Sequence, residues 1–413
     1  MSTVLRREFL AGLTSSSLVA GLLAKLPLPS NRLDGPGRWR TDHVRFNEEM
    51  EPWVRVLEET PHEQVIGVMA QHVRSGRIGY RQFLAALFLA GIRNVQPRPA
   101  VGFKFHAVLV VNSAHLASLD APASEKWLPL LWAVDSFKRS QARDVEEGNW
   151  TMAAVDPSRL PLPNQSLSEF RAAMDTWDEA RADVATAALA QVHSSDEIFE
   201  QFAEYAARDF RSIGHKAIYL ANSYRTLETI GWHHAEPVLR SLSYALLNHV
   251  GEPNPSTSDL AADRDGRSNW LLAQQLRDDW MAGANDEGAT VELLECLRRG
   301  NATEASELVF QQLQRGVATA SLFDAMFVFA SELTMRQPGI VPLHAVTTTN
   351  AMNYIFRKVR NPHTRAFILL QNAAFLSHFL VESRRRGALA DRSVEQLQAG
   401  DDPANVNDWP QKI

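Results

Sequence analysis

Three histidines stand where an imidazole could do chemistry: His106 in "KFHAVLVVNSAHL", His215 in "GHKAIYLANSYRTLETIGW" and His344 in "PLHAVTTTNAMNYIF". Each lies near the start of an apolar, helix-like run, and each run carries an asparagine farther on: Asn112, Asn222 and Asn350. An imidazole ionises near neutrality and ligates transition metals through either ring nitrogen. Convergent imidazoles could therefore form a metal centre or an acid–base group. The asparagines could orient them or hold a substrate carbonyl. In the outer runs the step from His to Asn is six residues, which sets the side chains about 120° apart on a helix. There Asn can instead bond a neighbouring helix, whereas the middle pair, seven apart, shares a face. Thr347, Thr348 and Thr349 are poor helix formers, and at least one must face the interior beside His344. A structural reading stands beside the chemical one: a buried His or Asn repeated in a scaffold also satisfies backbone groups and fixes register. His115 follows His106 by nine residues, His233 and His234 share the turn "GWHHAEP" with Glu236, and His363 lies in "NPHTR".

The elements that must position these groups read as helices almost throughout. "YRQFLAALFLAGIR", "DEIFEQFAEYAARDF", "ATVELLECLRRG" and "TEASELVFQQLQRG" space their apolar residues by three and four. Alternating strand patterns tied by Asn-Gly are nearly absent. The pattern predicts a signal segment over residues 1–26, a linker over 27–40 and a helical block over 41–152. A proline-rich linker then covers 153–166, a second block 167–249, a loop 250–269, a third block 270–390 and a tail 391–413. Residues 71–112 and 311–350 look like copies: a basic-Gly helix end, a Phe-rich helix, a turn with proline, then the His-Ala-Val…Asn helix. The middle block keeps the order of helices but, aligned on Ala217 and Asn222, places Lys216 in the histidine slot and His215 one residue earlier. Such self-similarity marks stacked helical hairpins. The expected fold is all-α, built from two or three related blocks, with room to curve into an α/α superhelix or a nearly closed ring. Curvature about one axis would turn like positions toward one cavity.

Several function classes are excluded or left unsupported. The formal charge of −6 over 413 residues offers no basic footprint for nucleic acid. Arg384, Arg385 and Arg386 suit a solvated helix end. There is no Gly-x-Gly-x-x-Gly, phosphate-binding loop, Gly-x-Ser-x-Gly or His-Glu-x-x-His. "ADRDGRSN", 262–269, is superficially like a calcium loop but lacks acids at the first and twelfth ligand positions (Ala261, Leu272), so it reads as a turn. The single cysteine, Cys296, lies in an apolar helix and reads as a packed thiol. Trp127, Trp132 and Trp232 read as large residues covering hairpin ends, with a lining for a flat aromatic ligand as the alternative.

At the start, Arg6 and Arg7 precede Phe9, Leu10 and a mildly apolar run to about Leu23. This resembles the twin-arginine export signal, with Leu5 and Ala11 departing from its usual residues. An ordinary secretory signal containing two arginines is the other reading. The resemblance implies a partner in the twin-arginine export machinery, periplasmic location, and folding before export. No small-x-small cleavage site precedes Pro27, so a retained signal would anchor the chain; otherwise no stable transmembrane domain is expected.

The phrases "LHAVTTTNAMNYIF" and "GHKAIYLANSYRTLETIGW", set in a long helical layout, resemble the questin oxidase-like family over roughly residues 60–380. The resemblance implies ring-opening oxygenation of an anthraquinone by a Baeyer–Villiger type reaction with NADPH and dioxygen. The leading expectation is thus an exported all-α oxidoreductase acting on a small aromatic or quinone-type molecule. His106, His215 and His344 would line its cavity beside Asn112 and Asn350. Its cofactor would be NADPH, as the resemblance implies, or a metal ion loaded before export. The alternative is a non-catalytic periplasmic helical-repeat protein that binds a partner or a small ligand.

Overall fold

Sixteen α-helices and five short 3-10 turns account for the order seen in a computed structural model that describes residues 42–97, 102–247 and 253–397. Among these residues there is no strand, only two isolated bridges, His43 with Ala153 and Ala284 with Val317. The all-α expectation and the stacking of helices hold. The export-like segment and its linker lie outside the described residues, as does the tail beyond 397. Two compact units divide the chain: residues 42–96, 102–159 and 226–241 form the first, and 160–225, 242–247 and 253–397 the second. This partition cuts across the sequence blocks, because 226–241 of the middle block join the first unit.

The first unit contains α1 (Glu51–Glu59), α2 (His62–Arg74), α3 (Tyr80–Asn94), α4 (Gly102–Asp120) and α5 (Leu128–Glu146). From Phe83 to Arg93 every residue of α3 is buried, as expected of a helix that is apolar on all sides and runs through a core. Its one buried cation, Arg93, is held by Glu51 at 2.8 Å and Glu58 at 2.9 Å, both on α1. Buried guanidinium forks are tolerated when paired in this way. Lys138 of α5 donates to the carbonyls of Leu57 (3.2 Å) and Glu58 (3.0 Å), satisfying acceptors at the end of α1. Pro129 opens α5, where its missing N–H is no loss.

The second unit contains α6 (Ser166–Thr176), α7 (Glu179–Val192), α8 (Ser195–Ala207), α11 (Ala261–Ala273), α12 (Glu287–Arg299), α13 (Ala302–Gln314), α14 (Thr319–Arg336), α15 (Ile340–Lys358) and α16 (Pro362–Arg386). It also holds the first part of α9 (His215–Ile230), while α10 (Ala235–Leu247) divides between the units. The core helix is α16, against which α8, α11, α13, α14 and α15 pack. It is the one helix among the described residues long and apolar enough to cross a membrane, but 83% of that apolar window is buried in the protein. Asn361 caps it by accepting from the N–H groups of His363 and Thr364, and Pro362 starts it. Its last turn carries Arg384, Arg385 and Arg386 at the carbonyl end, as their spacing suggests. Cys296 is buried in α12, and burial raises its thiol pKa, so it is a packing residue.

One expected loop is partly helix. Residues 262–269, read as a turn from their Asp, Arg and Gly content, lie inside α11. Tertiary bonds override the weak local propensity. Asp263 in the first turn accepts two bonds from Arg211, at 2.8 and 2.5 Å, and Asn269 donates to Gln371 of α16 at 2.8 Å. Gly266 meets the carbonyl of Arg208 so closely that a Cβ there would lie 2.0 Å from it.

Both His-Ala-Val phrases fall on helices. The helices α3–α4–α5 and α14–α15–α16 occur in the same order, and α4 and α15 are each 19 residues long. His106 is the fifth residue of the one and His344 the fifth of the other. In the middle copy, α8–α9–α10, His215 is the first residue of α9.

Candidate functional site

In the second unit, His215 and His344 meet. Their Nε2 atoms are 3.0 Å apart and their ring centroids 4.4 Å apart. The opposite nitrogen of each ring is engaged by main chain: His215 Nδ1 with the Ser212 carbonyl at 2.6 Å, His344 Nδ1 with the Ile340 carbonyl at 2.6 Å. A carbonyl only accepts, so each Nδ1 must carry the proton. In the neutral rings both Nε2 atoms are then lone-pair donors aimed at each other. Two such atoms at this distance repel unless a positive charge lies between them, either a shared proton or a metal ion. Nδ1–H bonded to a carbonyl, with Nε2 directed at the site, is also how proteins fix the tautomer of a metal-ligating histidine. Burial pushes the His344 pKa below its ordinary value, and Arg386 adds to this against the pull of the Ile340 carbonyl. The neutral, ligating form is therefore favoured.

Each histidine is placed by a distinct local device. His344 sits in the first turns of α15, where Ile340 is four residues back and its carbonyl is within reach. His215 follows three residues in left-handed backbone: Ser212 (φ 60°), Ile213 (φ 45°) and Gly214 (φ 78°). A β-branched residue there is an outlier, and such strain persists only where surrounding structure holds it. Here two buried ion pairs flank the turn. Lys216 Nζ lies 2.7 Å from Asp209, and Arg211 grips Asp263 of α11. The Arg211 and Lys216 cations also lie over the ring of Trp177, 5.1 and 5.9 Å from its centroid. Lys216, which the sequence alignment places in the histidine slot, thus belongs to the clamp, and His215 beside it faces His344.

Gly214 packs directly on α15. A Cβ at that position would lie 2.0 Å from Thr348 Oγ1. Thr348 and Thr349 are fully buried, and neither hydroxyl has a hydrogen-bond partner among the described residues. Thr347 is exposed and bonds back to its own helix at Leu343 and His344. The run of three threonines therefore contributes two inward hydroxyls.

The asparagines do not follow the histidines in this unit. Asn350 is exposed, on a different face of α15 from buried His344. Asn222 is buried on α9 and accepts from Arg225 at 3.3 Å. His106 is half-buried in the first unit, and Asn112, in the same helix, is buried. His363, His233 and Trp132 are exposed. Trp127, half-buried, stacks on Phe83 with 5.9 Å between centroids. In the first unit His115 Nδ1 meets the Tyr80 hydroxyl at 3.0 Å, and burial lowers the pKa of this imidazole.

His234, buried in the turn after α9, has its pKa lowered to about 4 by burial, with His233 and Arg81 adding to the effect. The unfolded chain takes up this proton near pH 6.5, the folded chain only near pH 4. The associated stability is therefore complete above pH 6.5 and is lost as pH falls through that window. The loss should be roughly 1–3 kcal/mol after allowance for solvent screening. Urea midpoints at pH 7 and pH 4.5 should show it, and His234→Phe should remove that part of the slope; an unchanged slope would refute the assignment.

The clamp and the left-handed turn leave only faint traces in the sequence, a glycine immediately before a histidine in "RSIGHK". No protein-family model matches the chain, and neither does any curated protein or solved structure.

Proposed function

We propose that the protein is a metal-dependent oxidoreductase whose ion is held by His215 and His344. The observation that carries this reading is the meeting of two Nε2 lone pairs at 3.0 Å behind two carbonyl-locked Nδ1–H groups. An ion 2.0–2.1 Å from both nitrogens would see them about 90° apart, within the range of five- and six-coordinate sites. Imidazole donors suit iron, copper, nickel or zinc.

A redox-active ion would supply Lewis acidity and a centre for dioxygen chemistry. The chain's own residues fix the imidazole tautomers, keep His344 neutral by burial, and present the Thr348 and Thr349 hydroxyls inward. Together with the resemblance to the questin oxidase-like family, this supports dioxygen-dependent oxidation of a phenolic or quinone-type molecule, with NADPH as the family's reductant. Export through the twin-arginine route belongs to the same proposal, because a chain that folds first can take its ion before it crosses.

Metal analysis of the full-length protein from its native export route, compared with His215→Ala and His344→Ala, tests the reading. About one equivalent of transition metal is expected in the wild type, with affinity at least about tenfold weaker in each variant and helicity unchanged. A metal-free wild type that stays metal-free after incubation with ferrous, cupric and zinc salts would refute it. The pair would then be a proton-sharing structural contact in a helical binding protein.

A further inference from the structure

A ligating His215 must hold its ring still, yet the turn leading into it runs through left-handed backbone at Ser212, Ile213 and Gly214. One side chain brackets that turn. Asp209 Oδ1 accepts from the backbone N–H of Arg211 at 3.2 Å, and Asp209 Oδ2 accepts from Lys216 Nζ at 2.7 Å. The two donors flank residues 212–215, so a single carboxylate ties both ends of the segment together. Inside the bracket lies the Ser212 carbonyl, which accepts from His215 Nδ1 at 2.6 Å. Asp209 and Lys216 are both buried, where hydrogen bonds are stronger than in water. Asp209 is not itself a ligand, since each of its oxygens is engaged by the bracket.

We propose that Asp209 is the positioning residue of the His215–His344 site. By bridging Arg211 and Lys216 it holds the Ser212 carbonyl against His215 Nδ1 and keeps Nε2 aimed at the ion. The inference rests on the metal reading above. Carboxylates that orient a ligating histidine ordinarily bond the ring itself. Here the carboxylate acts one step farther out, through the backbone of the turn. Without the bracket, the turn relaxes toward ordinary backbone, which relieves its strain and withdraws the carbonyl. The imidazole then exchanges tautomers, and the two Nε2 atoms no longer meet. This role is separable from the stabilising one, because a buried pair removed as a pair costs little stability.

The test uses the full chain, with cobalt(II) as the probe. Asp209→Ala/Lys216→Met removes the bracket and deletes one charge of each sign, so the net charge beside the site is unchanged. This double variant should regain most of the wild-type stability yet bind cobalt(II) at least about tenfold more weakly, the lower end of outer-shell effects. In the metal-free proteins, nitrogen chemical shifts of the His215 ring should show a protonated Nδ1 in the wild type. The double variant should show both neutral tautomers. A double variant that recovers stability, cobalt affinity and tautomer together would overturn the assignment while leaving the metal site standing. A wild type that takes up no cobalt(II) would remove the metal reading and this inference with it. If the double variant does not fold, Asp209→Asn decides, because its amide offers one oxygen where the bracket uses two. Cobalt affinity about tenfold weaker in that variant supports the bracket, and affinity within about threefold of wild type overturns it.

Discussion

Gly214→Ala is expected to destabilise the protein by roughly 2–5 kcal/mol and to strip the His215–His344 site of its ion-binding capacity. Two separate penalties add. At φ 78° an L side chain is strained by about 1–2 kcal/mol. The new Cβ would also lie 2.0 Å from Thr348 Oγ1, and overpacking of a fixed site costs a further 1–3 kcal/mol, about the range seen for inserted methyl groups. The double variant Gly214→Ala/Thr348→Ala separates them. Removing the threonine should return the packing part and leave the conformational part, so the second substitution becomes stabilising only in the presence of the first. Denaturant midpoints of the four proteins measure this coupling. If Gly214→Ala melts within 0.5 kcal/mol of the wild type, about the scatter of surface substitutions, the close approach is not as described.

Asp209→Ala should be comparably severe, costing about 3–5 kcal/mol, because it leaves Lys216 charged and buried without its carboxylate. Burial already lowers the Lys216 pKa to about 8, and Asp209 is what pulls it back up. From about pH 8 to the ordinary lysine value near 10.5, the unfolded chain binds more protons than the folded one, so wild-type stability should rise with pH across that window. Without Asp209 the folded-state pKa falls further, and the rise should begin at lower pH. Asp209→Ala/Lys216→Met should recover much of the loss, since replacing a whole buried pair is far milder than breaking it. Urea melts at pH 7 and pH 10 provide the readout. A destabilised Asp209→Ala whose pH dependence matches the wild type would place the damage elsewhere than Lys216.

These two predictions concern features that sequence reasoning could not see, and the reason is physical. Helix type and the matching of α4 with α15 were legible because three- and four-residue apolar spacing is a local property. His106 and His344 accordingly fell at equal depth in equal helices. The turn over Ser212–Gly214 was not legible, because isoleucine at positive φ contradicts its own propensity and is held there by pairings distant in sequence. Asp263, 52 residues from Arg211, shows the same effect: its pairing helps make helix of a stretch whose Asp, Arg and Gly content suggests a turn. Asn350 was grouped with Asn112 by position, yet one is exposed and the other buried. Repeat position fixes where a residue sits along its helix, but what packs against each face decides whether it meets anything.

The helix α16 bears on how such a chain can travel. In length and composition its 25 residues satisfy the requirements of a membrane span, and only the folded second unit covers them. Threaded unfolded through a translocation channel, the segment would be offered to the lipid as a candidate for insertion near the end of the chain. Carried across already folded, it would be offered to nothing, being wrapped by α11, α13 and α15. Were the chain exported, a core helix this apolar would favour crossing in the folded state, independent of any ion.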